Sequence, residues 1–546
     1  MAYIKRAAED TIARVSKMFP VLLVTGPRQV GKTTLLQRLA DIQKSEGIER
    51  KYVTLDDPDV RYLAKHDPAL FLQRYSPPVL IDEIQYATEL LPYIKMSVDR
   101  SKRKGDFWIT GSQVFRLMKN VSESLAGRVG IINLLGLSDA EIYQEPSEPF
   151  QTDAEQLMNR LSVRSKKDLN EIYRRIFKGS MPELYADEYV DWETYYRSYV
   201  DTYLQRDIRD LAQVADEMQF YNFMTIVAAQ TSKPVVYEEL ASAAGISAPT
   251  AKKWLSILVS SHIIALVQPY HNNALKRVVK MPLIHFLDTG LAAYLLKWGN
   301  PEALERGAMS GAFFESYVFS EIYKSYLNAG KEPPIFYYRD KDQKEIDLLI
   351  YQNGMLSPIE IKKSASPGKA AIKNFNVLKP VTKESAFEGL ESLKVEIGTG
   401  SVICMASDLL PVDGGSELYK VTGLVTPPRA CRASRGAQHF FVNGRYVKNR
   451  TMMAALENAY KGTMMQGKFP GAVLMLEMPA DLVDVNVHPA KTEIRFAKES
   501  DVFDAVYRAV RTALATPGSG ECRFEMGHTA SEAEQTTMQP TAPAAP

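Results

Sequence analysis

A chain of 546 residues is longer than one hydrophobic core ordinarily supports, so about three to five domains are expected rather than one function for the whole length. Its composition, 45% apolar and 24% charged, is that of soluble globular protein; with no apolar run of ~18 residues and no apolar signal core, a cytoplasmic protein without a membrane partner is expected. The formal charge of +1 excludes a whole-chain attraction to polyanions, although residues 421–450 hold six Lys/Arg and no Asp/Glu, a local hint of anionic partners.

Val21-Leu-Leu-Val24 reads as a buried strand, followed by a Gly-rich turn and an amphipathic helix opening at Lys32. Gly26-Pro27-Arg28-Gln29-Val30-Gly31-Lys32-Thr33, with Thr34 behind it, is a complete G-x-x-x-x-G-K-T string. Its glycines let backbone N–H groups turn inward around phosphates, Lys32 reaches the terminal phosphates, and the Thr33 hydroxyl meets Mg²⁺. ATP and Mg²⁺ are the ligands this pattern implies. A second strand, Pro78-Val-Leu-Ile81, ends in Asp82-Glu83, where Asp82 is suited to hold Mg²⁺ and Glu83 to polarise the attacking water. A third, Phe107-Trp-Ile109, ends in Thr110-Gly-Ser112-Gln113, so that Ser112, or Gln113 beside it, can sense the γ-phosphate. Arg128 is a candidate arginine finger, acting in cis or from a neighbouring subunit of an oligomer built through this domain. Short strands alternating with helices predict a mostly parallel P-loop NTPase sheet over residues 1–145.

Residues 146–230 have helical periodicity and read as a connector. Over 231–285, a helix, a turn at Ala244-Gly245, a second helix through Trp254 and a β-rich end suggest a winged helix-turn-helix-like module. Lys252, Lys253 and Trp254 on its second helix either face DNA or belong to a packing unit. Residues 286–413 read as a further α/β domain, with a helix around Phe313-Phe-Glu315 and strands at Ile335–Tyr338, Glu345–Ile350 and Pro358–Ile361. Glu345-Ile-Asp347 followed by Glu360-Ile-Lys362 is similar to the PD-(D/E)xK nuclease pattern. That likeness implies Asp347 and Glu360 sharing Mg²⁺, Lys362 activating water and Glu315 as an added carboxylate; a scaffold whose charges pair with one another is the alternative. A break at Asp413-Gly-Gly415 precedes an α/β block over 416–515, and residues 516–546, rich in Thr, Ala, Pro and Glu, are expected to be disordered. Cys404, Cys431 and Cys522 are too few and too scattered for a disulfide framework or a Cys-ligated zinc.

Val24–Thr34, Leu80–Gln85 and Ile109–Gln113 together resemble the AAA-type ATPases whose second half is the DUF4143 domain. Later landmarks extend the resemblance to about residue 412: Phe177-Lys-Gly-Ser-Met-Pro-Glu183, Tyr203-Leu-Gln-Arg-Asp-Ile208, Phe286-Leu-Asp-Thr-Gly-Leu291 and Gly311-Ala-Phe-Phe-Glu315. Ser180 departs from it, a second glycine being more usual there. From about 417 on, Lys420-Val-Thr-Gly423, Gln438–Lys448 and Val483-Asp-Val-Asn-Val-His-Pro-Ala-Lys491-Thr-Glu-Ile-Arg-Phe496 resemble the transducer part of MutL, the DNA mismatch-repair protein. This resemblance implies a ribosomal S5 domain 2-like fold, DNA-phosphate contacts from Arg445, Lys448 and Arg450, and an ATP-contacting role for Lys491. The GHKL domain that would hold that ATP has no counterpart before residue 417, which leaves Lys491 orphaned. Two families joined at Asp413-Gly-Gly415 read as a fusion, natural or produced by genome rearrangement or misassembly.

The expected function is an ATP-binding and ATP-hydrolysing AAA-type DUF4143 protein with a MutL transducer-like domain, acting near DNA. The alternatives are a mismatch-repair accessory protein lacking its GHKL half, partnered by mismatch-repair proteins, and an ATP-dependent PD-(D/E)xK-type nuclease.

Overall fold

The computed structural model describes residues 3–112, 121, 123–153, 156–157, 160, 167–203, 217–270, 281–340, 344–364, 369–378, 395–405, 410–415, 419–465, 467–479, 482–484 and 494–515. The chain divides into two compact units, Met1–Ala406 and Ser407–Pro546. Among the described residues no helix is long and apolar enough to cross a membrane.

Five short apolar runs build the first sheet. β1 (Val21–Thr25), β2 (Lys51–Thr54), β3 (Val79–Asp82), β4 (Phe107–Gly111) and β5 (Val129–Asn133) lie in the order β2-β3-β4-β1-β5, all in parallel. Strands covered on both faces need continuous rather than alternating apolar sequence, and β1, β3 and β4 are buried at every position. Around them run α1 (Glu9–Met18), α2 (Lys32–Ser45), α3 (Pro58–His66), α4 (Pro68–Arg74) and α5 (Leu90–Ser101). Asp57 and Asp67 cap α3 and α4, each followed by a proline whose missing N–H costs nothing in the first turn. Val21 and Leu23 enter the core with Ile81 and Ile109, while Leu22 and Val24, of opposite parity, join Leu35, Leu36 and Trp108.

The core on the Leu22 side continues through Tyr173, Phe220, Trp254, Phe313 and Ile361. The boundaries expected at 145, 230 and 285 therefore fall inside one packed body. It contains α6 (Leu169–Lys178), α7 (Trp192–Tyr203), α8 (Glu217–Ala229), α9 (Tyr237–Ala244) and α10 (Ala248–Ser260). Gly245, in the left-handed region at φ +64°, ends α9, and Ser247 caps α10 by accepting from Thr250 N. Trp254 is buried against the rings of Phe220 and Phe223, so it does not face DNA; Lys252 and Lys253 on the same helix are exposed.

β6 (Lys233–Pro234), β7 (Ile264–Pro269) and β8 (Leu283–Phe286) follow, then α11 (Thr289–Leu295) and α12 (Ser310–Asn328). β9 (Ile335–Arg339), β10 (Glu345–Gln352) and β11 (Met355–Lys362) are antiparallel neighbours, and β12 (Glu396–Ile397) and β13 (Ser401–Cys404) add to β11 in parallel. Gln268 and Pro269 of β7 pair with β9, which makes one eight-stranded sheet of what reads in sequence as two domains.

The second unit has its own core, around Val421, Leu456, Leu474 and Val506. β14 (Leu410–Gly415), β15 (Lys420–Val425), β16 (Gln438–Val442), β17 (Arg445–Val447) and β18 (Ala472–Glu477) lie in the order β14-β15-β18-β16-β17. β19 (Val483–Asp484) pairs with β20 (Arg495–Phe496), and the helices are α13 (Arg450–Ala459) and α14 (Glu499–Ala515). Along β18 burial alternates: Ala472, Leu474 and Leu476 face the helices while Val473 and Met475 are exposed. Asp413-Gly-Gly415, expected as a break between families, is instead the end of β14, paired with Thr422, Val421 and Lys420 of β15.

Charged side chains buried in the first unit bind the stretch after β5 to distant elements. Arg6 donates from Nε to Glu141 at 2.8 Å, and Ser138 N donates to the other oxygen of Glu141 at 2.7 Å. Arg175 donates to Asp139 at 2.8 Å and to Leu137 O at 3.0 Å, and Lys324 donates to Leu137 O at 3.0 Å and to Glu321 at 3.1 Å. Burial pushes Asp139 and Glu141 upward, but Arg175 beside the one and Arg6 beside the other outweigh it and hold both below the usual carboxylate range. A depressed carboxylate stabilises the fold above its unfolded pKa of about 4, and that contribution is lost as pH falls through the folded value. Asp139→Ala leaves Arg175 buried beside an empty place and is expected to cost about 3–5 kcal/mol. In denaturant titrations, the gap between wild type and variant should be full at pH 7 and close progressively below about pH 4.

Candidate active site

The loop between β1 and α2 takes a shape that only its glycines permit. Gly26 has φ +144°, and a Cβ there would lie 1.9 Å from Leu134 O; Gly31, at φ +84°, is the left-handed N-cap of α2. The loop leaves the C-terminal end of β1, with the N-terminus of α2 behind it, where backbone N–H groups and the helix dipole favour anions. Lys32 is buried, and its ammonium donates to the loop's own carbonyls, Gly26 O at 3.0 Å and Pro27 O at 2.7 Å. A cavity of about 490 Å³ is lined by Arg28, Gln29, Gly31, Lys32, Thr33, Thr34, Glu83 and, from α7, Thr202. Pro27 and Val30 instead line a small void with Leu135 and His262. Burial and then the charge of Lys32 lower the His262 pKa to about 4, which keeps this imidazole neutral.

Asp82 and Glu83 stand at the end of β3. Thr33 Oγ1 donates to Asp82 Oδ1 at 2.7 Å, Thr110 Oγ1 donates to the same oxygen at 2.5 Å, and Tyr52 reaches Asp82 Oδ2 at 3.4 Å. The Glu83 N–H donates to Thr110 Oγ1 at 3.0 Å, fixing a residue whose backbone lies in the left-handed region at φ +58°. Glu83 Oε2 accepts from Gln85 Nε2 and, at 3.4 Å, from Ser112 Oγ. Hydroxyl and carboxylate oxygens are the donor chemistry Mg²⁺ takes, and Thr33 and Asp82 already touch, so the residues present fit that ion.

Ser112 stands beside the acidic pair, donating to Glu83 Oε2 at 3.4 Å, and Gln113 lies outside the described residues. One sequence expectation changes here. Arg128 precedes β5, and β5 runs parallel to β1 with Val129 opposite Val21 and Asn133 opposite Thr25. Arg128 therefore sits at the sheet end away from the P-loop, roughly 16 Å off at the usual strand rise, and is not a finger for its own loop. It is paired with Asp99 at 2.6 and 3.1 Å.

Sequence reading missed four contributors. Arg6 braces the loop from behind, donating to Val30 O at 2.7 Å and Leu135 O at 2.7 Å. Thr110 joins Asp82 to Glu83, Gln85 holds Glu83, and Thr202 brings α7 to the cavity. The pattern Ile84-Gln85 after the acidic pair carried a signal for Gln85; the others acquire meaning only from distant neighbours.

The second carboxylate cluster forms between β10, β11 and α12. Lys362 donates to Asp347 Oδ2 at 2.9 Å and lies 2.6 Å from Glu360 Oε2, and Glu315 accepts from the Ser232 hydroxyl. Burial and then Asp347 push Glu360 up to about 8 and Glu315 up to about 7. Among the described residues no group of three or more His, Cys, Asp or Glu is placed to hold a metal ion. In the second unit Arg445 at the start of β17, Lys448 just after it and Arg450 at the start of α13 are exposed, whereas Lys491 lies outside the described residues.

Comparison with known proteins finds four family matches along the chain. Residues 18–143 match the AAA domain family, 169–302 a domain of unknown function (DUF8612), 310–420 the DUF4143 domain, and 403–515 the C-terminal domain of DNA mismatch repair proteins. An uncharacterized protein of Mycobacterium tuberculosis is 29% identical over 363 residues, 66% of this chain and 75% of that protein. MutL of Anaeromyxobacter dehalogenans is 46% identical over 108 residues, 20% of this chain and 18% of that protein. Among solved structures, a Walker-type ATPase of Pyrococcus abyssi is similar at 13% identity and a TM-score of 0.35, covering 53% of this chain and 94% of that one.

Gly26→Ala combines a left-handed strain with a clash against backbone, and each costs about 1–3 kcal/mol. Titration with a fluorescent ATP analogue should show a loss of affinity of roughly tenfold or more. Gly299→Ala, where an added Cβ meets nothing within 4 Å, should bind as wild type.

Proposed function

Starting from a chain that joins an AAA domain and a DUF4143 domain to the C-terminal domain of DNA mismatch repair proteins, we propose that the protein binds and hydrolyses Mg-ATP at its P-loop and acts at or near DNA. The convergence of Gly26–Thr33, Asp82 and Glu83 at the C-terminal ends of β1 and β3 carries the reading. The N–H groups opening α2 receive the phosphates, and Lys32 exchanges the carbonyls of Gly26 and Pro27 for phosphate oxygens. Thr33 and Asp82 would hold Mg²⁺, which would neutralise phosphate charge. Glu83 accepts a hydrogen bond from water and turns it toward the γ-phosphorus. Lys32→Ala is expected to abolish hydrolysis, and Glu83→Gln to lower it at least about 100-fold while ATP still binds. Hydrolysis by Glu83→Gln at the wild-type rate overturns the assignment.

The link to DNA rests on the second unit, a five-stranded sheet with two helices that we read as ribosomal S5 domain 2-like. Exposed Arg445, Lys448 and Arg450 suit phosphate contacts, each adding about 0.9 to the slope of log affinity against log salt. Replacing all three with alanine in the full chain should flatten that slope by up to roughly 3; an unchanged slope removes the DNA role. A mismatch-repair accessory role follows from the same segment, and complementation of a mutL-deficient strain tests it. A nuclease reading draws on Lys362 standing between Asp347 and Glu360. Nicking of plasmid DNA with Mg²⁺, lost in Asp347→Ala, supports it, and equal activity of the two proteins excludes it.

A further inference from the structure

Two side chains hold the carboxylate of Glu83, those of Gln85 and Ser112. Gln85 follows Glu83 by two residues, in the turn Ile84–Ala87. Its Nε2 donates to Glu83 Oε2 and, at 3.3 Å, to Ser112 Oγ, while Ser112 Oγ in turn donates to Glu83 Oε2 at 3.4 Å, closing a triangle. The amide's other end is left unsatisfied: Oε1 of Gln85 is buried and has no hydrogen-bond partner among the described residues. Leaving a buried acceptor unpaired is costly, so the side chain accepts a penalty to keep its donor on Glu83. Reversing the amide would set oxygen against carboxylate oxygen and bury an NH₂ in place of the orphaned oxygen, which fixes the orientation.

The direction of the grip matters. Glu83 lines the cavity, and the bonds from Gln85 and Ser112 both fall on its Oε2, which leaves Oε1 to meet a water. A carboxylate anchored through one oxygen can rotate little about its terminal bond, and its second oxygen meets a water in one place. The Glu83 backbone is fixed separately, by Thr110. Backbone and side chain of the same residue thus have independent holders.

We propose that Gln85 is a positioning residue for ATP hydrolysis: it clamps Oε2 of Glu83, with Ser112, so that Oε1 faces the attacking water. The proposal rests on the reading of Glu83 as the residue that polarises that water. It assigns Gln85 no contact with nucleotide, so kcat depends on it and nucleotide affinity does not.

The test uses the full chain with Gln85→Ala and Gln85→Met, the second keeping the side-chain length without the donor, each also combined with Glu83→Gln. Both single variants are expected to lower kcat by roughly tenfold while KM and the affinity for a non-hydrolysable ATP analogue stay within about twofold. In the Glu83→Gln background neither should lower the residual rate further, because a residue that acts through Glu83 is silent once Glu83 is gone. Wild-type kcat in both variants overturns the proposal, as does an equal fall in the two backgrounds or a fall in affinity that matches the fall in rate. A wild-type rate in Glu83→Gln alone instead overturns the assignment of Glu83, which separates the two failures.

Discussion

Buried charge laid against the backbone that follows β5 sets the positions of distant elements in the first unit. Leu134, Leu135 and Leu137 each turn a carbonyl inward. Leu134 O closes on Gly26, Leu135 O accepts from Arg6, and Leu137 O accepts from both Arg175 and Lys324. A buried carbonyl without a partner is costly, so these cations are required where they stand. The cations in turn need anions, which Asp139, Glu141 and Glu321 supply. Such pairs add little net stability, because desolvation consumes most of the attraction, but losing one member is expensive. Their effect is to set positions. Residue 6, the P-loop, α6 and α12 are all indexed to one stretch of eight residues, 134–141.

That indexing explains the departure at Ser180. Asp288 accepts from Ser180 N at 2.7 Å and Ser180 Oγ at 2.6 Å, and from the Tyr196 hydroxyl at 2.7 Å, while Leu137 N donates to Ser180 O at 2.7 Å. A serine fits where a glycine is more usual because its hydroxyl completes the ring around Asp288. Close backbone approach is met next to it instead, at Gly136 and Gly179, whose added Cβ atoms would fall on Ser180 and on Tyr196 and Asp288. The P-loop thus shares its rear wall with elements that follow it by more than a hundred residues, and Thr202 of α7 stands at its front.

The second unit follows different physics. It has a separate core and a sheet covered on one face, with Val473 and Met475 on the open side. The DUF4143 and mismatch-repair matches overlap over 403–420, a stretch that includes all of β14 and the first residue of β15.

Sequence alone determined what depends on short-range geometry. The P-loop was legible because Gly26 and Gly31 set backbone angles within a few residues of Lys32 and Thr33. Asp82 and Glu83 were legible because an apolar strand of a parallel sheet ends at them. The burial of Trp254 was also available, since Ala251, Trp254, Leu255 and Leu258 form an apolar stripe at helical spacing. The tertiary structure decided the rest. It showed which end of β5 carries Arg128, that Ser112 and Gln85 hold Glu83, that Arg6 supports Val30, and that four expected domains share one core. Periodicity states which face a residue is on, not what lies opposite. An arginine tied to a carbonyl 24 positions away looks in sequence like any surface arginine until the chain is folded.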